Sequence, residues 1–145
     1  MSLEPIMSAA EVSAFLDREF PQIHIGGRSF HVDAVQPGAA ILRLEARDHH
    51  LRPGGTVSGP SMFSLADLSA YVAILAHIGP VALAVTTNLN INFLRKPPAG
   101  DLFGHCRILK LGKRLAVTEV AITAGDDAEP VAHATATYSI PPRAD

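Results

Sequence analysis

The chain has 145 residues, of which 48% are hydrophobic and 18% are charged, and its formal net charge is −2. This composition excludes a disordered chain, the length suits one domain, and the charge gives no basic surface for nucleic acid. The only cysteine, Cys106, excludes an internal disulfide and a cysteine-based zinc site. The first residues lack the pattern of a secretory signal, and the longest apolar run is interpreted as too short and too interrupted to span a bilayer. We therefore expect a cytoplasmic protein that binds neither nucleic acid nor membranes.

An amphipathic helix is predicted near the start of the chain. Ser8 and Glu11 have the spacing of a capping box, in which the two side chains satisfy backbone N–H groups of the first turn. Apolar residues then recur at helical spacing until Pro21 ends the segment. This helix and its lead-in make up residues 1–27, and we expect the helix, from Ser8 to Phe20, either to cap a site or to pack against the outside of the main domain.

From residue 28 onward the apolar residues alternate with polar ones, as they do in strands. Residues 30–34 and 41–44 alternate in this way on either side of a Pro-Gly turn, which predicts a β-hairpin. The loop that follows contains His49 and His50. Adjacent histidines point apart in a strand or loop, and no cluster of Cys, Asp or Glu completes a ligand set, so no metal site is expected.

The segment from Gly54 to Pro80 is apolar along most of its length and is bounded by glycines and prolines. A helix that is apolar nearly all round is a buried helix, so the segment predicts one long helix in the core. Within it, Asp67 is the only side chain charged at neutral pH between Arg52 and Arg95. Burying an unpaired carboxylate is costly, which makes Asp67 a candidate functional residue. The alternative is that Asp67 lies at a turn or on a solvated edge of the helix.

The remainder of the chain predicts four strands separated by turns. The predicted strands are Val81–Phe93, Leu102–Leu111, Arg114–Ala124 and Val131–Ile140. Successive strands joined by short turns favour an antiparallel meander, and one long helix is buried only if this sheet curls around it. The sequence therefore predicts an α+β fold with a single domain over 28–140 and a tail over 141–145.

Three stretches of this sequence resemble the hotdog-fold acyl-CoA thioesterases of the PaaI-like branch, named for phenylacetic acid degradation. They are SGPSMFSLADLSAYVA at 58–73, TNLNINFLRKPPAGD at 87–101 and RILKLGKRLAV at 107–117. The resemblance implies a hotdog fold, in which an antiparallel sheet wraps around the central helix. It also implies a homodimer with two sites at the subunit interface, usually paired into a homotetramer. No metal or redox cofactor is expected, and coenzyme A enters only as part of the substrate.

The resemblance also implies roles for three residues. In this family an acidic residue follows eight positions after the first glycine of a His-Gly-Gly turn, and Gly59 and Asp67 match that spacing. The Gly59 N–H would hold the oxyanion that forms when a thioester is attacked, and Asp67 would be the general base or the nucleophile. Because two helical turns separate them, the carboxylate of one subunit would meet the N–H of the other. Related enzymes place a hydroxyl near the nucleophile at the position of Thr86.

Two positions depart from the family pattern. Ser58, Gly59 and Pro60 stand where His-Gly-Gly is usual, although Ser58 can still donate a hydrogen bond and proline suits the first turn of a helix. Arg52 stands where related enzymes often have an asparagine that contacts the thioester or the attacking water. The added charge either pairs with Asp67 or binds a carboxylate or phosphate of the ligand.

Polar residues on the later strands and turns complete the predicted binding site. Asn88 is a substrate-binding candidate, with ordinary strand hydrogen bonding as the alternative. Two basic turns flank one predicted strand, and their side chains suit the phosphates of coenzyme A, with simple solvation as the alternative. These turns contain Arg95 and Lys96 on one side and Lys110, Lys113 and Arg114 on the other.

The sequence thus predicts an acyl-CoA thioesterase, which hydrolyses a CoA thioester to a carboxylic acid and free CoA. A non-catalytic protein that binds acyl-CoA or fatty-acyl groups is the alternative, and the altered turn and Arg52 favour it. A hotdog dehydratase or hydratase fits less well, because such enzymes use an Asp and His pair and no histidine follows Asp67 until His77.

Overall fold

The computed structural model describes residues 3–125 and 128–142. Within these ranges lie two α-helices, α1 (Ala9–Glu19) and α2 (Gly59–Ile78), and six strands. The strands are β1 (Phe30–Gln36), β2 (Ala39–Leu44), β3 (Val85–Phe93), β4 (Leu102–Leu111), β5 (Leu115–Ala124) and β6 (Ala132–Ser139). Short 3₁₀ turns lie at Pro21–His24 and Asp48–His50. The predicted α+β architecture, with one long central helix and a short N-terminal helix, is confirmed.

The strands form one antiparallel sheet in the order β1-β2-β4-β5-β6-β3. The predicted meander is therefore correct for β4, β5 and β6 but wrong for β3, which pairs with β6 at the far edge of the sheet and not with β4. The connection over 94–101 carries the chain past β6 and β5 to reach β4. Alternation of apolar residues specifies which face of a strand is buried, but it does not specify which strand lies beside it.

Helix α2 is the centre of the core, as its apolar sequence predicts. It begins at the N-cap Ser58 and ends at Gly79, whose φ of 97° is readily adopted only by glycine. Most of its side chains are buried against the sheet. At Gly104 on β4 the sheet approaches the helix closely, because an added Cβ would lie 2.1 Å from Ser69 Oγ. The missing side chain at position 104 therefore lets β4 lie directly on the helix.

The same helix is long and apolar enough to cross a membrane, by length and composition alone. This finding corrects the expectation that the apolar run is too short to span a bilayer. However, 72% of its apolar window is buried inside the protein. Such burial is what an all-round apolar helix requires when it forms the core of a globular domain.

The boundaries of the other elements follow the predictions closely, with one exception. The capping box of α1 is present, with Ser8 N–H donating to Glu11 Oε1 at 3.0 Å and Glu11 N–H donating to Ser8 Oγ at 3.1 Å. Strand β3 begins at Val85 and not at Val81, because 79–84 forms tight turns closed by backbone hydrogen bonds. The predicted tail at 141–145 is described only over 141–142, and its last three residues lie outside the described ranges.

Candidate active site

Asp67 lies in the middle of α2, half-buried, and lines a cleft with its side chain. Thr86 Oγ1 donates a hydrogen bond to Asp67 Oδ1 at 2.6 Å, and the Tyr138 hydroxyl donates to the same oxygen at 2.8 Å. The Tyr138 hydroxyl is also 3.0 Å from the Asp67 carbonyl oxygen. Across residues 3–125 and 128–142, Asp67 Oδ2 has no hydrogen-bond partner. The carboxylate is thus fixed through one oxygen, while the other can reach water or a ligand.

Tyr138 is a residue of this site that the sequence analysis missed. It lies on β6, where the preceding inward positions are all alanine. Burial and then the negative charge of Asp67 raise the pKa of the Tyr138 hydroxyl, so it stays protonated and donates to the carboxylate. Strand alternation could have revealed it, because it places a phenol on the buried face of β6, and a buried hydroxyl needs a partner.

The cleft beside Asp67 has a volume of about 920 Å³, and several parts of the chain line it, including Tyr138 on β6. One face of α2 forms its floor, and residues 82–86 at the start of β3 form one wall. Side chains from 19–30, together with His49 and His50, form the opposite wall. The floor residues are Pro60, Ser61, Ser64, Asp67, Leu68 and Tyr71. Of the two roles expected for the helix from Ser8 to Phe20, capping the site fits its C-terminal end, because Glu19 and Phe20 line the cleft.

A row of aromatic rings leads away from Asp67 along this cleft. The rings of Tyr138 and Tyr71 are stacked with their centroids 6.0 Å apart, and Phe20 meets Tyr71 edge-on at 6.1 Å. The Tyr71 hydroxyl donates to the Ala82 carbonyl oxygen at 2.9 Å, so the polar end of this side chain is satisfied. The cleft thus combines a carboxylate with an adjoining apolar compartment, which is the combination that an acyl group next to a reacting carbonyl requires.

The first turn of α2 leaves one backbone donor available. Ser61 N–H donates to Ser58 Oγ at 3.3 Å, and Pro60 has no N–H. Gly59 N–H has no acceptor among the described residues. Gly59 and Asp67 are eight positions apart, which is about 12 Å along a helix axis. The two groups therefore cannot meet on one atom within a single subunit.

The structure brings Asp67 and Thr86 together but spreads the predicted binding residues over the surface. Arg52 is exposed and forms no ion pair with Asp67 or with any other residue in the described ranges, so the pairing alternative is not realised within one subunit. Asn88 is exposed at a register shift of β3. Ser58 serves as the helix cap, and its hydroxyl donates to Ser61 Oγ at 2.9 Å.

The two basic turns lie near opposite ends of α2. Arg95 pairs with Glu129, and Lys96 is exposed beside it, just after the end of β3. This turn lies near the start of the helix. The ring of Phe93, the last residue of β3, would be 3.4 Å from a Cβ added to Gly59, the first residue of α2. Lys113 instead lines a second cavity together with His77, near the C-terminal end of α2. The two turns are thus not joined into one binding surface within a subunit.

Comparison with known proteins agrees with this architecture. The sequence pattern of the Thioesterase superfamily matches residues 54–131, more than half of the chain. The crystal structure of a "putative thioesterase" from Silicibacter sp. TM1040 is 50% identical, with a TM-score of 0.88 over 97% of this chain and 96% of its own.

Two more distant structures share the fold. A variant of the phenylacetic acid degradation protein PaaI from Thermus thermophilus is 24% identical, with a TM-score of 0.68 over 78% of this chain and 94% of its own. The protein smu.793 from Streptococcus mutans UA159, bound to acetyl CoA, is 24% identical, with a TM-score of 0.69 over 81% and 93%. The expected hotdog fold is thereby confirmed, and the class of activity that the family supports is thioester hydrolysis. The chain belongs to the Thioesterase superfamily.

Proposed function

We propose that this protein is an acyl-CoA thioesterase, in which Asp67 acts on the thioester. The observation that carries the proposal is the asymmetric carboxylate, with two hydroxyl donors on Oδ1 and an unpartnered Oδ2 in the described part of the chain, beside the cleft. Hydrogen bonds to a single oxygen hold the carboxylate in one orientation and leave its other lone pairs for chemistry. A purely structural aspartate would be expected to use both oxygens within the fold.

The proposed reaction begins at the carbonyl carbon of the thioester. Asp67 Oδ2 either takes a proton from a water molecule that attacks this carbon, or attacks the carbon itself and forms an anhydride that water then opens. In both routes the carbonyl electron pair moves onto oxygen, and its return breaks the C–S bond and releases the CoA thiolate. Thr86 and Tyr138 keep Asp67 in place throughout, because each donates to the oxygen that does not react. No metal or redox cofactor is needed for these steps.

We infer a homodimer in which the Gly59 N–H of one subunit polarises the carbonyl that faces Asp67 of the other. The separation of about 12 Å along the helix requires this division if both groups act on one thioester. Strand β3 lies at an open edge of the sheet, because it pairs only with β6 among the described strands. This strand and the residue after it expose the large apolar side chains of Val85, Phe93 and Leu94. An exposed strand edge flanked by apolar side chains suits a second copy of the chain, and we propose further pairing into a homotetramer.

Coenzyme A is the proposed carrier of the acyl group. The fold neighbour from Streptococcus mutans is bound to acetyl CoA, which supports a CoA-type ligand for this architecture. Exposed cations suit its phosphates, and we assign this role to Arg52, Arg95, Lys96 and Lys113. Ser58 and Asn88 are proposed as uncharged contacts. Because acyl-CoA is an intracellular metabolite, we place the protein in the cytoplasm.

Release of free thiol from a panel of acyl-CoAs tests this proposal. We expect wild-type protein to release thiol and the Asp67→Asn variant to lose at least about 100-fold in kcat, since removal of a base or nucleophile abolishes its contribution. Asp33→Asn is the matched control, because Asp33 on β1 pairs with Arg43 on β2 and does not line the cleft. Turnover by Asp67→Asn at the wild-type rate would contradict the assigned mechanism.

Binding without hydrolysis is the second candidate, and the replaced turn residues at Ser58, Pro60 and Arg52 favour it. This protein would be stabilised by acyl-CoA in a thermal-shift measurement but would release no thiol. Thermal-shift and thiol-release measurements on the same samples therefore distinguish the two functions. Stabilisation by acyl-CoA is expected for both, whereas release of thiol is expected only for the thioesterase.

A further inference from the structure

The proposed binding site for the thioester carbonyl oxygen, at the start of α2, has only one hydrogen-bond donor from the helix. Gly59 N–H is the only backbone donor of the first turn without an acceptor in the described ranges, since Pro60 has none and Ser61 N–H is capped by Ser58. The Ser58 hydroxyl is directed at Ser61 Oγ, 2.9 Å away. Oxyanions in acyl transfer are commonly held by two or more preorganised donors. A second donor must therefore come from outside the helix.

His50 lies immediately beside this helix start. Its carbonyl oxygen accepts hydrogen bonds from Ser58 N–H at 2.8 Å and from Ser61 Oγ at 3.3 Å. Its side chain is only 7% exposed, meets the ring of Phe30 edge-on at 6.3 Å, and lines the cleft. Backbone hydrogen bonds and side-chain packing thus both hold His50 against the first turn of α2.

The hydrogen bonds of the His50 ring determine where its proton lies. Arg47 N–H donates to His50 Nδ1 at 2.9 Å, and a ring nitrogen that accepts carries no proton. Burial, then the neighbouring His49 and Arg47, lower the pKa of His50, so the ring is neutral and carries its proton on Nε2. In the described part of the chain, His24 Nδ1 is the only fully buried side-chain nitrogen or oxygen that has no hydrogen-bond partner. His50 Nε2–H, which has no acceptor among these residues, is therefore not fully buried, and His50 lines the cleft together with Pro60 and Ser61 of the first turn of α2.

We propose that His50 Nε2–H is the second donor to the thioester carbonyl oxygen, next to Gly59 N–H of the same subunit. This inference rests on the proposed function. As the carbonyl carbon is attacked, its oxygen gains the electron pair of the C=O bond and returns it when the C–S bond breaks. The imidazole keeps its own proton during both steps, and a neutral imidazole with a lowered pKa is suited to this purely electrophilic role. His50 thereby supplies a contact to the thioester of the kind that the family resemblance implies for an asparagine at position 52.

Substitution of His50 tests the assignment through kcat. His50→Phe keeps a ring against Phe30 but removes the donor, and we expect kcat to fall by about 10²–10³ while KM stays within about twofold. His50→Gln restores an N–H at a similar distance from the backbone, and we expect its kcat to be at least about tenfold higher than that of His50→Phe. His105→Phe is the matched control, because His105 bonds Thr123 on the sheet and does not line the cleft. A general packing role would not be rescued by glutamine.

The outcomes separate this inference from the proposed function. If the wild type is active and the kcat of His50→Phe lies within about threefold of the wild-type value, only the role of His50 is overturned. If the wild type itself shows no turnover, the proposed function is overturned as well. A measurement on the unsubstituted protein covers the case in which His50→Phe does not fold. Nitrogen-15 NMR should show His50 protonated at Nε2, with that signal shifting when a trifluoromethyl-ketone analogue of acyl-CoA binds. A proton on Nδ1, or no shift on binding, would also overturn the assignment.

Discussion

Tyr138→Phe removes one hydroxyl from Asp67 and leaves the rest of the site intact. The phenylalanine ring retains the position stacked on Tyr71, and the other donor, Thr86 at 2.6 Å, stays in place. A hydrogen bond to a charged group contributes about 1.5–3 kcal/mol. If that free energy holds Asp67 in its reactive orientation, kcat should fall by about 10- to 100-fold, because each tenfold corresponds to about 1.4 kcal/mol. We expect KM to remain within about twofold, since Tyr138 does not bind the CoA part of the substrate.

The assay combines thiol release with urea unfolding. Thr118→Val is a suitable control, because Thr118 on β5 is also a buried hydroxyl, which donates to the Ala136 carbonyl oxygen at 3.1 Å but does not touch Asp67. Both variants should lose stability, by about 0.5–3 kcal/mol, but only Tyr138→Phe should lose turnover. Adding Thr86→Val to Tyr138→Phe should give a non-additive loss, because both hydroxyls share Asp67 Oδ1.

The reasoning would be refuted if Tyr138→Phe turned over within about twofold of the wild type while Asp67→Asn was inactive. Asp67 would then react without help from the phenol, and the hydrogen bond at 2.8 Å would serve only the fold. A rise in KM at unchanged kcat would equally contradict a positioning role, because such a change reports lost ground-state binding.

Two further predictions concern the helix. Gly104→Ala should destabilise the fold by about 1–3 kcal/mol in urea unfolding, because the new methyl group displaces Ser69 Oγ from its 2.6 Å hydrogen bond to the Leu65 carbonyl oxygen. Adding Ser69→Ala to the same chain should restore most of the lost stability. If it restored none, this clash would be ruled out as the cause. Gly59→Pro removes the backbone donor while Gly59→Ala keeps it, so only the former should lose turnover. Dimers formed from a mixture of Gly59→Pro and Asp67→Asn subunits should recover about a quarter of wild-type turnover, because half of them contain one intact site. Mixed dimers as inactive as either parent would show that the two groups act within one subunit.

The elements that the sequence predicts well are those whose pattern is local. Strand β4 has the predicted bounds, Leu102–Leu111, because its alternation is regular and a glycine or proline turn lies on each side. Helix α2 follows from a run that is apolar on every face. The predicted start of β3 lies four residues too early, since the apolar run at 81–84 does not show that these residues form turns closed by backbone hydrogen bonds. The place of β3 at the far edge of the sheet depends on contacts between distant segments, which periodicity does not record.

The candidate site was predictable only where one residue is unusual for its surroundings. Asp67 is a lone charge in an apolar run, so its sequence context alone marks it. Tyr138 and His50 carry no such signal, because a tyrosine in a strand and a histidine in a loop are common, and their roles depend on hydrogen bonds to Asp67 and Arg47 that only the folded chain provides. The family resemblance supplied Thr86, whose hydroxyl lies 2.6 Å from Asp67 Oδ1, and its catalytic role stays a prediction.

If the site is divided between two subunits as proposed, the departures from the family pattern are separated from the carboxylate. On the carboxylate side, two hydroxyls from β3 and β6 fix Asp67, so that side does not depend on an asparagine at position 52. On the oxyanion side, Pro60 removes one potential donor and Ser58 is used as a cap, which leaves Gly59 N–H to be supplemented from the loop before the helix. His50 is the residue of that loop whose packing and proton position fit the requirement. The changes at positions 52, 58 and 60 therefore fall on one half of the site, and loss of turnover on removing either Gly59 N–H or His50 Nε2–H is the expected consequence.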